Sequence, residues 1–190
     1  MPEKREQILR AATTLFGKHG YHAVGIDWII AESKVSKMTM YRHFPSKGDL
    51  VVAVLKTCQY RDAESLERYV TAVQEPVERL KRVFDWHRDW FNSEGFTGSM
   101  FAHAAYEFSD KGTQIHRINV EQKSHLTCFI ADILSDIIDP QKAQDVAPIL
   151  VMLLDGATLC VQVFGAARAR CDVWEAACEL AGIHAVERSW

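Results

Sequence analysis

Residues 26–47 read IDWIIAESKVSKMTMYRHFPSK, and they decide the architecture of the start of the chain. Apolar residues at helical spacing predict a short helix over 26–33, and a second short helix over 37–44 follows after a three-residue turn. Ser36 is a good N-cap for the second helix, and Pro45 ends it. Two short helices joined in this way are typical of a helix-turn-helix, whose second helix enters the DNA major groove.

The second helix carries many side chains that donate hydrogen bonds, namely Lys37, Thr39, Tyr41, Arg42 and His43. A helix of about eight residues is only about 12 Å long, so it buries little surface of its own. Such a surface suits contacts with base edges and phosphates. The alternative is a solvated helix with incidental charges.

The rest of the chain also shows helical periodicity, and strand alternation is absent. An all-α fold is therefore predicted. Gly20 ends the first helix, and Ser46 caps the fourth. Beyond the two short helices, the predicted helices cover residues 4–18, 47–70, 76–93, 98–108, 113–137, 141–165 and 167–181.

The charge of the chain is unevenly distributed. The chain has 190 residues, of which 48% are hydrophobic and 25% charged, as in an ordinary globular protein. Residues 1–50 carry eight Lys and Arg against five acids, whereas the remainder carries 14 against 20. A basic module on an acidic body predicts a polyanionic partner for the first fifty residues.

The most apolar stretch covers residues 146–164 and contains Pro148, Asp155 and Gln162. An aspartate near the centre of a membrane span costs roughly 2.5–3.5 kcal/mol, so we expect a helix buried in protein rather than in lipid. The charged N-terminus lacks the apolar core of a signal peptide, and none is expected.

Five cysteines are present, an odd number, and no CxxC pair occurs among Cys58, Cys128, Cys160, Cys171 and Cys178. Four of them lie among apolar residues at helical spacing. This pattern suits reduced, buried thiols in a cytoplasmic protein better than a disulfide framework.

The first fifty residues resemble the N-terminal module of TetR-family transcriptional regulators. The resemblance rests on REQILRAATTLFGKHGY (5–21) and IDWIIAESKVSKMTMYRHFPSKGDL (26–50). A looser resemblance extends to FTGSMFAHAAYEF (96–108) and LLDGA (153–157). It implies a three-helix DNA-binding head over 1–48 and a helical body over 49–190, with an internal ligand cavity and a homodimer interface.

Two positions depart from the family pattern. Lys34 stands where the turn usually has glycine, and a left-handed backbone there costs a non-glycine residue about 1–2 kcal/mol. Either the turn has another conformation or Lys34 is strained. Gly25 stands where Ser or Thr usually caps the next helix, which leaves the backbone N–H groups of Ile26 and Asp27 for a phosphate.

The resemblance also implies which side chains of the second short helix face DNA. Met40 and Phe44 pack inward. Arg42 and Lys37 can donate to guanine, and Met38 can touch a thymine methyl group. Phosphate contacts by Tyr41 and Lys47 would set the register. The predicted DNA-binding residues are Lys37, Met38, Thr39, Tyr41, Arg42, His43 and Lys47.

Aromatic and histidine side chains are dense over residues 84–108. Apolar walls with a few polar groups are typical of small-molecule sites, which predicts a flat or apolar ligand. The alternative is simple core packing. The predicted ligand-binding residues are Trp86, His87, Trp90, Phe101 and His103. No metal is predicted, because spacing alone does not bring His87, His103 and Glu107 together.

Sequence motifs for other function classes are missing. The chain has no HExxH, GxSxG, P-loop or GxGxxG, and no pair of Glu-x-x-His motifs for a di-iron site. An enzyme is therefore not expected, and no cofactor is predicted. A DNA-binding dimer without a ligand, or an activator, remains an alternative to a ligand-responsive repressor.

The last two predicted helices are candidates for a dimer interface, because the helix over 141–165 is apolar nearly all round. Small residues there permit close helix approach. The predicted interface residues are Leu153, Gly156, Ala157, Cys160, Phe164, Trp174 and Ala177. A two-fold dimer presents two recognition helices to a palindromic operator, about 34–36 Å apart or somewhat more.

Overall fold

The structure, a computed structural model, describes residues 2–169 and 173–183. These residues form nine helices and no strand, which confirms the all-α prediction. The helices are α1 Pro2–His19, α2 Ile26–Ser33, α3 Lys37–His43, α4 Lys47–Thr71, α5 Pro76–Phe91, α6 Met100–Glu107, α7 Gln114–Ser135, α8 Pro140–Phe164 and α9 Trp174–Ala181.

The turn between α2 and α3 has the left-handed backbone that the family pattern implies. Lys34 ends α2 with φ 53° and ψ 35°, and its N–H donates to the carbonyl of Ala31. It is the one non-glycine residue with positive φ in the described part of the chain. Of the two alternatives for this position, the strained one is therefore present.

Polar caps set the start of α3 and α4. The hydroxyl of Ser36 accepts from the backbone N–H of Thr39 at 3.1 Å. The hydroxyl of Ser46 accepts from the N–H of Asp49 at 3.1 Å and donates to the Asp49 carboxylate at 2.7 Å. Both predicted caps are confirmed, and the Ser46 cap leaves only a short break around Pro45 between α3 and α4.

The chain divides into two compact units. The first comprises the residues up to Asp62 together with Ser99–Gln122, and so contains α1 to α3, the first part of α4, α6 and the start of α7. Its core includes Phe16, Tyr21, Ile29, Met40, Leu50 and Phe101. Residues 1–48 lie in this unit, and a functional boundary after residue 48 stays a prediction.

The second unit comprises Ala63–Gly98 and the described residues from Lys123 onward. Its main core brings together the end of α4 with α5, α7, α8 and α9, and includes Val70, Leu80, Ile130, Leu134, Leu150 and Ala177. A smaller cluster joins Phe91 of α5 to Ala157 and Val161 of α8. The inward face of α8 is thus covered by its own chain.

Helix α8 begins at the N-cap Asp139 and contains Pro148 in its interior. Proline has no N–H, so the carbonyl of Gln144 lacks its helical donor. By length and composition α8 could cross a membrane, yet 44% of its most apolar window is buried inside the protein. A core helix of a soluble protein passes the same test, so this is weak evidence for a membrane span.

The prediction of a helix over 167–181 is wrong at its start. Gly165 ends α8 with φ 77°, residues 166–168 form a turn, and α9 begins only at Trp174. Runs of alanine favour a helix locally, but they do not show where the chain must turn.

The expectation of buried thiols holds for two of the five cysteines. Cys58 and Cys178 are buried, Cys160 is half-buried and Cys128 is exposed. Cys171 lies outside the described residues. Burial raises the pKa of the Cys58 thiol to about 11, so it is protonated at neutral pH.

Candidate nucleic-acid interface

The core of the first unit fixes the rotation of α3. Met40 is completely buried and Phe44 nearly so, and both pack in the core shared with α1, α2 and α4. Because Met40 and Phe44 are four residues apart, they lie on one face of the helix. The opposite face is therefore presented to solvent.

That exposed face carries four of the predicted DNA-binding side chains, namely Lys37, Met38, Tyr41 and Arg42. Thr39 and His43 are only half-exposed. The Thr39 hydroxyl lies 2.9 Å from that of Ser36. The Nε2 atom of His43 is buried and has no hydrogen-bond partner in the part of the chain that the structure describes. These two side chains are therefore less available to DNA than the other four.

Lys37 is the first residue of α3, and Lys47 is the first residue of α4. Lys37 lies 3.5 Å from a carboxylate oxygen of Asp27, with both side chains largely exposed. Such an exposed pair contributes little to stability, so the ammonium can turn to a phosphate at little cost. Lys47, at the start of α4, donates to the carbonyl of His22 at 3.3 Å.

Sequence reasoning missed one cation near α3. The guanidinium carbon of Arg5 lies 5.4 Å from the ring centroid of Phe44, at the C-terminal end of α3. The helical pattern of α1 predicts only that Arg5 lies on its charged side. Its position depends on how α1 packs against α3, which periodicity does not reveal.

The predicted ligand-binding residues fall in both units. Trp86, His87 and Trp90 lie in the second unit, where ring centroids are 5.0 Å apart for Trp86 and His87 and 6.2 Å for Trp86 and Trp90. Phe101 and His103 belong to α6 in the first unit, and Phe101 is buried in the core there.

Around Trp90 the aromatic cluster is larger than predicted. Its ring lies 5.7 Å from that of Phe91 and 5.0 Å from that of Phe96, measured between centroids. Phe96 was not among the predicted ligand-binding residues, and it lies in the loop after α5, where helical periodicity gives no position for its side chain. The indole N–H of Trp86 donates to the Ser65 hydroxyl at 3.1 Å, so one polar contact from α4 orients the ring.

His87 is the buried polar centre of this cluster. Its Nδ1 lies 2.7 Å from the carbonyl of Val83, which accepts a hydrogen bond from a protonated Nδ1. Burial lowers the pKa of His87 to about 4, although this hydrogen bond opposes the shift. The imidazole is therefore neutral at neutral pH, and its Nε2 is an acceptor.

The predicted dimer residues separate into two groups. Gly156 and Phe164 are exposed on α8, and Leu153 and Cys160 are half-buried. Ala157 and Ala177 are buried within their own chain, so they offer no surface to a partner. Trp174 packs on Phe84 with ring centroids 5.5 Å apart.

An apolar stripe does remain exposed along α8. It consists of Ile149, Met152, Leu159 and Val163, and Phe164 is exposed beside it. Ile149, Met152, Gly156, Leu159 and Val163 follow one another at alternating spacings of three and four, so they lie along one face of the helix. Met152 and Val163 are 62% and 65% exposed, which is high for such apolar side chains.

Glu107, one of the three residues weighed for a metal site, has other partners in the structure. Within the residues that the structure describes, no group of three His, Cys, Asp or Glu side chains could hold a metal ion. Glu107 instead accepts hydrogen bonds from the turn between α1 and α2.

Comparison with known proteins connects the head to one family. Residues 8–54 match the family model for bacterial regulatory proteins of the tetR family. The chain is 37% identical over 78 residues to the HTH-type transcriptional regulator HbdR of Aromatoleum sp. (strain CIB), covering 41% of this chain and 34% of HbdR. It is 48% identical over 96 residues to the HTH-type transcriptional activator FasR of Mycolicibacterium smegmatis, covering 50% of this chain and 44% of FasR.

A third relative is named a repressor. The chain is 37% identical over 91 residues to the HTH-type transcriptional repressor Rv3405c of Mycobacterium tuberculosis, covering 46% of each chain. This chain thus spans less than half the length of each of these three relatives.

Solved structures extend the likeness over nearly the whole chain. A TetR-family transcriptional regulator from Streptomyces coelicolor, SCO4454, superposes with a TM-score of 0.86 at 27% identity, covering 96% of both chains. A further regulator from Streptomyces avermitilis superposes with a TM-score of 0.79 at 23% identity, covering 95% of this chain and 99% of the other. The second likeness is one of fold alone.

Proposed function

We propose that this chain, which belongs to the TetR family of DNA-binding transcriptional regulators, is a homodimeric cytoplasmic repressor released from a palindromic operator by a small apolar or aromatic ligand. The observation that carries the proposal is the division of α3 into a buried face and an exposed face rich in donors. The named relatives are regulators, which agrees with the expectation from the sequence motifs that the chain is not an enzyme.

The exposed face of α3 supplies both kinds of DNA contact. Arg42 and Lys37 can donate to guanine O6 and N7, and Met38 can touch a thymine methyl group. Tyr41 and Lys47 would bind phosphates and set the register. Arg5 and Lys47 both lie near the C-terminal end of α3, and both suit contacts with the phosphate backbone beside the groove.

The body would supply the response to a ligand. The cluster of Trp86, His87 and Trp90 offers aromatic walls around a neutral imidazole. A neutral acceptor suits a ligand that donates a hydrogen bond, such as a phenol or an amide, better than an anion. Phe101 and His103 on α6 remain proposed ligand residues. The ligand must prefer the arrangement that does not bind DNA, because equal affinity shifts no population.

A second copy of the chain is the proposed partner of α8. The exposed stripe from Ile149 to Val163 presents apolar surface that a two-fold contact would remove from water. Such a dimer would place two α3 helices on a palindromic site. Of the predicted interface residues, Leu153, Gly156, Cys160, Phe164 and the half-buried Trp174 stay in this proposal, and Ala157 and Ala177 leave it because their own chain covers them.

One relative favours an alternative direction of control. FasR is named an activator and is 48% identical over its aligned residues. An activator would use the same head and the same operator contacts, so the two functions differ in where the operator lies relative to the promoter. A reporter gene under the selected operator, with and without the protein, distinguishes repression from activation.

The test of the proposal starts from a random pool of duplex DNA, from which purified protein selects its sites. We expect an inverted repeat, bound more weakly as salt rises. Arg42→Ala should weaken the best site by about 1–3 kcal/mol and relax preference at particular base pairs. Arg68→Ala, the same charge change on α4 in the second unit, is the control and should bind like wild type. No enrichment of any sequence would refute the proposal.

A further inference from the structure

The turn between α1 and α2 is held by a carboxylate from a distant helix. Glu107, at the end of α6, accepts from the backbone N–H of Tyr21 at 2.8 Å and of His22 at 2.5 Å. The same carboxylate lies 2.8 Å from Nδ1 of the His22 ring. Three donors from two consecutive residues therefore converge on one side chain.

Gly20 makes this approach possible. Its φ of +80° is strained for any other residue, and a Cβ placed there would lie 2.8 Å from a carboxylate oxygen of Glu107. Glycine at position 20 thus allows the left-handed backbone and also leaves room for the Glu107 carboxylate.

The start of α6 is bound to the same turn. The hydroxyl of Tyr21 donates to the carbonyl of Met100 at 3.0 Å, and the Tyr21 side chain is completely buried. Burial raises the pKa of Tyr21, so the hydroxyl remains a donor at neutral pH. Both ends of α6 are therefore connected to Tyr21 and His22.

The turn between α1 and α2 also contacts an element proposed to bind DNA. The carbonyl of His22 accepts from the ammonium of Lys47, at the start of α4. Three residues separate His22 from the start of α2. His22 is thus joined to α6 by its N–H and its ring, and to a proposed phosphate-binding residue by its carbonyl.

The Glu107 carboxylate is charged in this arrangement. Partial burial raises the pKa of Glu107, but the N–H groups of His22 and Tyr21, with the His22 ring, outweigh it and lower the pKa below its ordinary value. Hydrogen bonds to a charged acceptor are about twice as strong as neutral ones, so the ionised carboxylate is the form that holds the turn.

We propose that Glu107 is a positioning residue for operator binding, which holds the turn at Tyr21 and His22 and thereby aligns α2, α3 and Lys47 for DNA. The inference rests on the proposed function, because it concerns the same contact of α3 and Lys47 with DNA.

Simple electrostatics gives the opposite expectation, which makes the idea testable. Glu107→Gln removes a negative charge from a head that binds a polyanion, so charge alone would strengthen binding. Loss of alignment should instead weaken operator binding about tenfold. Glu121→Gln on α7 is the matched control, because Glu121 is exposed in the same unit and loses the same charge. It should bind as tightly as wild type or slightly more tightly.

Amide hydrogen exchange supplies a readout that a general loss of stability would not reproduce. In folded Glu107→Gln, exchange should accelerate at the N–H groups of Tyr21 and His22, while amides inside α3 stay protected. If that variant does not fold, Glu107→Asp retains the charge on a shorter side chain and should show the same two effects. Wild-type operator affinity, or unchanged exchange at the two amides, in a folded variant would overturn the inference.

The two proposals fail in different ways. If wild-type protein selects an operator and Glu107→Gln binds it normally, only the positioning role is lost. If wild-type protein selects no DNA, the proposed function fails and the inference falls with it.

Discussion

Met38 and Met40 lie on the same short helix and face opposite ways, since Met38 is 80% exposed whereas Met40 is completely buried. The two residues share side-chain chemistry, so their difference comes from position alone. Met40 anchors α3 in the core of the first unit, and Met38 stands on the face proposed to meet DNA.

Truncating these two methionines should therefore separate folding from recognition. Met40→Ala removes buried volume and should lower the free energy of unfolding of the head by about 2–5 kcal/mol. Met38→Ala should leave stability unchanged and weaken the preference for thymine at one position of the operator. Denaturant unfolding and binding to a set of single-base operator variants measure the two effects. Equal losses of stability in both variants would contradict the assignment of the faces.

Lys34 is a residue whose replacement should stabilise the protein. Its φ of 53° is strained for lysine, so Lys34→Gly should raise the free energy of unfolding by about 0.5–1 kcal/mol after the greater freedom of glycine in the unfolded chain is counted. Lys56→Gly, inside α4, should lower it by about 1 kcal/mol. Thermal melts of the two variants should shift in opposite directions, and a loss of stability in Lys34→Gly would be evidence against strain at the turn.

The exposed stripe on α8 should hold the dimer together. Leu159→Glu places a charge in the middle of the stripe and should convert the protein to monomers with weak operator binding, because burying an unpaired charge is unfavourable. Gln144→Glu adds the same charge at an exposed site before Pro148 and should leave a dimer. Sedimentation equilibrium at micromolar concentration decides, and a monomeric wild type would refute the interface.

His87 should make the protein less stable in acid. Its pKa is lowered to about 4, whereas an unfolded histidine titrates near 6.5, so the unfolded state gains a proton first as the pH falls. The free energy of unfolding should be unaffected by protonation of His87 above about pH 6.5 and should fall as the pH drops from about 6.5 to about 4. The total decrease is at most about 3 kcal/mol.

An asparagine at position 87 isolates that contribution. His87→Asn retains an N–H for the Val83 carbonyl but has no charged form in this range. Denaturant unfolding of both proteins across this pH range gives the difference between them. The difference should change with pH as described, and parallel curves would show that His87 takes up a proton in the folded state as readily as in the unfolded one.

Capping and helix-breaking residues made the helix ends of the head predictable from sequence. Ser36, Pro45 and Ser46 act on their immediate neighbours, so the ends of α3 and the start of α4 follow from residues within one turn. Lys34 was harder, because its identity alone allows either a relaxed or a left-handed turn. The structure has the left-handed turn, which the identity of the residue alone does not select.

The burial of the residues predicted for the dimer and the ligand was harder to predict, because periodicity shows which side chains share a face but not what covers that face. Ala157 and Leu159 are near neighbours on α8, yet Ala157 packs on Phe91 and Val161 of its own chain and Leu159 is exposed. Glu107 shows the same limit. Its carboxylate meets residues 85 and 86 positions away in sequence, a contact that no local pattern encodes.

Because of Pro148, one backbone carbonyl of α8 must stay in contact with water. The carbonyl of Gln144 has no helical donor, and Gln144 and Pro148 are both exposed. An unpaired carbonyl is costly to dehydrate, so a dry contact can begin only beyond it. The exposed stripe starts at the next residue, Ile149, and runs for about 21 Å to Val163 at 1.5 Å per residue. The proline thus marks the hydrated end of the proposed contact, and the length of α8 beyond it sets how much of the helix a second copy could cover.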